Sequence, residues 1–240
     1  MRKFGLIGQS LKHSFSRSYF KEKFARERID ASYSNCEYET LSDLKWMEKQ
    51  GFSGCNVTMP YKATVLEFLD NVDKTAAAIG AVNTIKREGS ILTGYNTDVI
   101  GFQQSLIGTG LLRQIEHKAL ILGSGGAAKA VEFVLNQLGF SVAIVSRTRG
   151  DIRYEDIDGK VLDAVGLVVN TTPLGMNPNA ALYPPLPYEY FSERHLAFDL
   201  IYNPEKTVFL EKAAQHGASI INGFEMLELQ AEASWKIWNS

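Results

Sequence analysis

Lys118-Ala119-Leu120-Ile121-Leu122-Gly123-Ser124-Gly125-Gly126-Ala127-Ala128 is the stretch that decides the fold. Its apolar run, Ala119 to Leu122, is too short for a helix and reads as a strand, and the alanine-rich segment after the glycines reads as a helix start. A strand, a glycine turn and a helix in that order form the opening unit of a nucleotide-binding parallel sheet. Glycines let a pyrophosphate approach the backbone, and the helix dipole favours the anion at its N-terminus. Gly123 and Gly125 match the first two glycines of that pattern, and the third position falls at Ala128. Taken alone, such a turn is weak evidence, and a purely structural tight turn is the alternative.

Working outward toward the C-terminus, strands are expected at residues 141–145, 167–170, 195–200 and 218–221, with helices at 127–138 and 205–216. This alternation predicts a parallel sheet. Residues 150–166 are too short and acidic for an ordinary crossover helix, and residues 178–187 form a proline-rich loop. Residues 225–238 read as a closing helix with Met226, Leu229 and Ala233 on one stripe. Toward the N-terminus the order is less regular. A strand at 4–7 precedes a helix at 19–25 whose Phe20 and Phe24 share a face. Thr40 and Asp43 have capping-box spacing before Leu44 and Met47, a strand follows at 54–58, and Pro60 stands where a helix could begin. Residues 81–86 and 91–95 read as a hairpin, and a helix follows from Asp98 through Ile107. The fold class is α/β with two domains, one with mixed strand directions and one Rossmann-like.

Composition narrows the function. The chain has 240 residues, 45% of them hydrophobic, enough for one large or two small cores. Its net charge of -2 comes from interspersed acids and bases, which argues against nucleic acid as a partner. The apolar run at 4–7 is too short for a signal peptide, and no stretch approaches the ~20 apolar residues of a membrane span. Cys36 and Cys55 are expected to be buried thiols in a reducing compartment, the cytoplasm.

The strand at 141–145 ends in Ser146-Arg147-Thr148-Arg149, where a sheet that binds NAD would carry an acid for the ribose hydroxyls. An acid there would repel a 2′-phosphate, whereas a guanidinium can grip it with two parallel hydrogen bonds. The residues therefore favour NADP(H), against the alternative of two solvated surface arginines. Four polar groups interrupt otherwise core-like segments: Ser14-Phe15-Ser16, the block from Asn56 through Thr58 and Pro60 to Lys62, Ala81-Val82-Asn83-Thr84, and Asn96-Thr97-Asp98. Each singly has a structural explanation. The serines and Asp98 could cap helices, Asn83 could bond at a strand end, and Lys62 could be solvated.

Together and in this order, these segments resemble the shikimate dehydrogenase family. The likeness continues through Gly94-Tyr95-Asn96-Thr97-Asp98, Gly101-Phe102, the glycine turn, Asn170-Thr171-Thr172-Pro173-Leu174-Gly175-Met176, Asp199-Leu200-Ile201-Tyr202-Asn203-Pro204, and Asn222-Gly223 leading to Met226 and Gln230. The resemblance implies a substrate domain of residues 1–100 and 223–240, an inserted NADP domain of residues 101–222, and an active site in the cleft between them. It implies reversible NADPH-dependent reduction of 3-dehydroshikimate to shikimate, a step of chorismate and aromatic amino acid biosynthesis. By matching position, Ser14 and Ser16 would bind the substrate carboxylate, and Thr58, Asn83, Asp98 and Gln230 its hydroxyls. Lys62 and Asp98 would be the catalytic pair, also in contact with substrate, and Tyr202 would lie where substrate and nicotinamide meet. Gly123, Ser124, Gly125, Gly126, Ala127, Ser146, Arg147 and Thr148 would hold the nucleotide, with Leu200, Gly223 and Met226 near the nicotinamide ring.

The chemistry can be argued from the residues as well. Hydride delivery to a ketone leaves an alkoxide that needs a proton or a positive charge, and a lysine supplies both. An aspartate beside it would orient the ammonium. No metal is required, and His13, His117, His195 and His216 lack ligand spacing, the last three reading as structural or surface residues. Two departures from the family pattern stand out: Arg17, Tyr19 and Phe20 replace a proline and a His-Asn pair, and Ser146 replaces an asparagine. Rival readings are a quinate/shikimate dehydrogenase of relaxed specificity, a non-catalytic NADP sensor on the same fold, and a folate-linked dehydrogenase. Monomer and homodimer both remain open.

Overall fold

A computed structural model describes residues 1–11 and 14–240. Two compact units emerge, Met1–Ile100 with Gln230–Ser240, and Gly101–Leu229.

The first unit begins with β1 (Arg2–Gly8), α1 (Phe15–Arg26), β2 (Ala31–Glu37), α2 (Lys45–Lys49) and β3 (Phe52–Val57). β2 and β3 flank β1 in parallel. After β4 (Asn71–Val72) and α3 (Lys74–Ile79), the hairpin of β5 (Thr84–Glu88) and β6 (Ile91–Tyr95) adds antiparallel strands, giving the order β2-β1-β3-β5-β6-β4. The mixed directions match the expectation from sequence. α1 buries Phe20 and Phe24 against Phe4 and Trp238, with the Phe4 and Trp238 rings stacked at 4.6 Å. Each such buried aromatic contributes roughly 2 kcal/mol over its exposed state. Trp238 also donates through Nε1 to the Ile85 carbonyl at 2.9 Å, over Gly54, where any Cβ would collide with the indole. These contacts explain why the C-terminal residues fold with the N-terminal ones.

Several local expectations need correction. Thr40 caps nothing: Leu44 occupies the N-cap of α2 without a side-chain bond, and Asp43 instead accepts from the Lys45 N–H at 2.9 Å. No α-helix starts at Pro60; turns at 59–63 lead into a 3₁₀ segment, Thr64–Phe68. Cys36 is only half-buried, while Cys55 is buried, and both are free thiols.

α4 (Asp98–Gly108) carries the chain past the first division. The second unit contains β7 (Lys118–Leu122), α5 (Gly126–Gln137), β8 (Ser141–Val145), α6 (Gly159–Asp163), β9 (Leu167–Asn170), β10 (Leu196–Asp199), α7 (Val208–Gln215), β11 (Ser219–Ile221) and the start of α8 (Phe224–Trp238). Its sheet, ordered β11-β10-β9-β7-β8, is parallel throughout. The crossover between β8 and β9 is reduced to the five-residue α6 and one 3₁₀ turn, as its length implied. Buried Leu120, Leu122, Val168, Ala197 and Phe209 lie in the core of this unit. Among the described residues no helix is long and apolar enough to cross a membrane.

Candidate functional site

In the first unit Lys62, Asn83, Asp98 and Gln230 are brought into one hydrogen-bonded group. The turn after β3 carries Lys62, whose carbonyl accepts from the Val82 N–H at 2.7 Å, which fixes its backbone beside β5. The Lys62 ammonium donates to Asp98 Oδ2 at 2.6 Å. Asp98 opens α4, and its other oxygen accepts from Asn83 Nδ2 at 2.9 Å. The Asn83 carbonyl oxygen accepts from the Thr97 backbone N–H at 2.7 Å, so its NH₂ must face the carboxylate. The second Asn83 N–H reaches Gln230 Oε1 at 3.3 Å. The Lys62 side chain is 18% exposed and that of Asp98 only 4%, so the ammonium is open to a ligand while the carboxylate is shut away from water. Asp98 is not a helix cap: both its oxygens are occupied, and its own N–H donates to Asn96 Oδ1 at 3.1 Å.

Beneath this pair lies a buried hydroxyl and amide network. Asn56 Nδ2 donates to Ser234 Oγ at 2.9 Å and sits 3.1 Å from Thr84 Oγ1, and the Thr84 and Ser234 hydroxyls lie 2.8 Å apart. Tyr33 donates to Asn56 Oδ1 at 2.8 Å. Burial pushes the Tyr33 hydroxyl well above its ordinary pKa. A line of hydrogen bonds therefore runs from Tyr33 through Asn56 and Asn83 to the Lys62–Asp98 pair. Ser14 does cap α1, accepting from the Arg17 N–H at 3.3 Å, so the structural reading holds for that residue at least in part. Thr58 is held by its backbone N–H to the Ile7 carbonyl at 2.9 Å. Ser234 was not anticipated; a lone serine within an amphipathic helix carries no signal of its own.

The second unit assembles the glycine turn. Gly123 has φ +110°, and a Cβ there would lie 2.8 Å from Thr171 Oγ1, so only glycine fits. Gly125 caps α5 without a side-chain bond, and a Cβ on it would meet nothing within 4 Å. Gly126 and Ala127 open the first turn of α5, and first-turn N–H groups are the donors that a helix N-terminus offers to a pyrophosphate. Ser124 and Ser146 hydroxyls meet at 3.2 Å, joining this turn to the end of β8. Ser146 Oγ also accepts from Thr148 and Arg149 N–H at 3.4 Å each, which shapes the tip that presents exposed Arg147 and Arg149. Burial raises the pKa of Tyr154, and the Arg147 charge partly offsets it. The residues thus suit a phosphorylated dinucleotide.

Leu200 N–H donates to the Asn170 carbonyl at 3.0 Å and Gly223 N–H to the Ile201 carbonyl at 3.1 Å, with Met226 buried in the first turns of α8. Tyr202 also belongs to this unit, and burial raises its hydroxyl pKa. Among the described residues no three His, Cys, Asp or Glu cluster as metal ligands. His13 lies outside the described residues. His195 is buried, bonded to Ser192 and the Leu162 carbonyl.

A lysine–carboxylate pair in one unit and a glycine-turn parallel sheet in the other define a two-unit α/β protein of the nucleotide-binding class. Comparison with known proteins makes this specific. Residues 6–85 match the family described as the shikimate dehydrogenase substrate binding domain. A curated shikimate dehydrogenase (NADP(+)) of Caldicellulosiruptor saccharolyticus is 38% identical, the alignment covering 99% of this chain and 92% of the relative. The crystal structure of shikimate 5-dehydrogenase from Thermus thermophilus in complex with NADP(H) and shikimate superposes with a TM-score of 0.85 at 31% identity, over 99% of this chain and 93% of that one. A quinate dehydrogenase from Corynebacterium glutamicum in complex with NAD gives 0.87 at 26% identity, over 99% and 93%. The chain belongs to the shikimate dehydrogenase family.

Proposed function

We propose that this chain catalyses the reversible NADPH-dependent reduction of 3-dehydroshikimate to shikimate, acting in the cytoplasm in chorismate and aromatic amino acid biosynthesis. The enzyme class and the NADP(H) cofactor follow from membership of a family whose curated relatives carry that name. The free thiols suit a reducing compartment. The observation that carries the mechanism is the Lys62–Asp98 contact at 2.6 Å, with Asn83 on the second carboxylate oxygen.

Gly123, Ser124, Gly125, Gly126 and Ala127 would hold the pyrophosphate, Ser146, Arg147 and Thr148 the 2′-phosphate, and Leu200, Gly223 and Met226 the nicotinamide end. When bound, NADPH supplies the hydride. Lys62 gives its proton to the ketone oxygen as negative charge develops there, and the neutral amine so formed regains a proton from solvent. Asp98, anchored by Asn83, holds Nζ in one direction and spares the pair a reorganisation during the reaction. In the reverse direction neutral Lys62 takes the proton of the substrate hydroxyl. Ser14 and Ser16 would bind the carboxylate, which stays charged throughout; Thr58, Asn83 and Gln230 would bind the ring hydroxyls, and Tyr202 the substrate edge near the nicotinamide.

The likeness to a quinate dehydrogenase keeps a second reading in play, a quinate/shikimate enzyme that uses NAD. One assay separates them. NADPH absorbance is followed with 3-dehydroshikimate, then NADP and NAD reduction with shikimate and with quinate. Turnover of 3-dehydroshikimate with NADPH, and preference for shikimate with NADP, supports the proposal. Comparable rates with quinate and NAD would establish the second reading, and no turnover with any pair would leave only a binding protein.

A further inference from the structure

Asp199 ends β10 fully buried, and nothing in the chemistry above uses it. A carboxylate without water or a cation is costly unless its oxygens are satisfied. Here they are. Oδ1 accepts from Asn170 Nδ2 at 3.0 Å and from the Ile201 N–H at 3.0 Å, and Oδ2 accepts from Thr207 Oγ1 at 2.6 Å. These donors belong to three segments at the C-terminal ends of the parallel strands: the end of β9, the loop after β10 and the N-cap of α7. Asn170 relays the contact onward, its Oδ1 accepting from Thr172 N–H at 3.1 Å and Thr172 Oγ1 at 2.7 Å. The adjoining Thr171 hydroxyl donates to the Leu122 carbonyl at 2.7 Å and is the group that Gly123 leaves room for.

We propose that Asp199 is a positioning residue of the nucleotide site: through Asn170 it sets the turn of residues 171–174 against Gly123, and through Ile201 and Thr207 it aims the segment bearing Leu200 and Tyr202. The proposal rests on the NADP(H) reading of that site. A neutral side chain of similar volume would fill the space at less cost, so the retained carboxylate points to its three acceptor bonds. Burial pushes its carboxyl up to about 6, with Thr207, Ile201 and Asn170 pulling the other way. Tyr188, whose own hydroxyl is raised chiefly by burial and in part by Asp199, is the titratable group near it.

The test compares Asp199→Asn, Asp199→Leu and Thr172→Val in three readouts: NADPH dissociation constant by cofactor fluorescence, amide exchange of residues 171–176 without nucleotide, and melting temperature. Asparagine can keep the Asn170 and Ile201 bonds, so it should bind NADPH within about threefold of the parent, whereas Asp199→Leu should weaken binding about tenfold or more and speed exchange. Thr172→Val removes the hydroxyl half of the last link, together with the bond that hydroxyl accepts from the Leu174 N–H, and should show both effects at about threefold. If Asp199→Leu melts earlier but binds NADPH and exchanges like the parent, Asp199 is merely structural and the proposal is overturned. Should Asp199→Leu fail to fold, unchanged binding and exchange in Thr172→Val overturn it equally. A parent chain that does not bind NADPH would instead sink the cofactor reading, while the exchange comparison would still decide whether Asp199 sets the turn.

Discussion

Asp98 in the first unit and Asp199 in the second are both nearly inaccessible, at 3% and 0% exposure, yet one faces a lysine ammonium and the other only neutral donors. The difference separates two uses of a buried carboxylate. Asp98 pairs with a cation, and in the proposed mechanism that cation passes its proton to the substrate, which would put the value of Asp98 in chemistry. Asp199 spends its oxygens on an amide, a hydroxyl and a backbone N–H, so its value lies in holding loops still. Removing one partner of a buried ion pair leaves an uncompensated charge, whereas an asparagine can inherit most of a neutral network. The two sites should therefore respond differently to the same kind of substitution.

The largest effect is expected at the cationic partner of Asp98. Lys62→Ala should fold, bind NADPH as the parent does, and lose about 10²- to 10⁴-fold in kcat, the usual worth of a positioned proton donor. Near-normal turnover in steady-state kinetics would remove Lys62 from the mechanism. Next come the exposed arginines beyond β8. Arg147→Ala with Arg149→Ala should lower kcat/KM for NADPH by about 10- to 150-fold and leave NADH nearly untouched, since a charge-assisted bond is worth about 1.5 to 3 kcal/mol. An unaltered ratio of the two cofactors would place the 2′-phosphate elsewhere. In the first unit, Ser14→Ala with Ser16→Ala should raise the KM for shikimate about tenfold with little change in kcat, because the carboxylate is bound equally in ground and transition states. A collapsed kcat with the parent KM would contradict that role.

How much of this was legible in sequence follows the same division. The second unit could be read because β7, the glycine turn and α5 make a local pattern of apolar strand, small residues and amphipathic helix. β5 and β6 were likewise clear, with Gly89 at φ +64° in their turn. β2, Ala31–Glu37, escaped because its Ser, Asn and Cys residues lack alternation, and it is a strand by virtue of pairing with β1. Lys62 and Asp98 could be named as a pair only through resemblance, since their meeting depends on the hairpin and on Asn83 between them. The supporting layer was not legible: Asn56 and Ser234 are brought together by the return of α8, and no local rule links them.

The smallest effect concerns stability. Burial raises the Asp199 carboxyl from its ordinary 3.8 to about 6 in the folded chain. Between those values the folded state keeps a proton that the unfolded chain has released, so this group's contribution to stability falls as pH rises from about 4 to about 6. The full difference is about 3 kcal/mol, at ~1.4 kcal/mol per pKa unit. Asp199→Asn lacks that slope. Denaturant unfolding of parent and variant at several pH values should therefore show the variant gaining on the parent across the window, and parallel curves would mean that Asp199 titrates normally.

The most direct test sets the two aspartates side by side. Asp98→Asn and Asp199→Asn are assayed for NADPH oxidation with 3-dehydroshikimate, together with NADPH binding and melting temperature. The account predicts that Asp98→Asn loses about 10²-fold or more in kcat while binding NADPH normally, because the ammonium has lost its charged anchor. Asp199→Asn should keep kcat within about threefold, its network largely inherited by the amide. Equal losses in kcat, or a fully active Asp98→Asn, would contradict the assignment of the proton-transferring pair to the first unit.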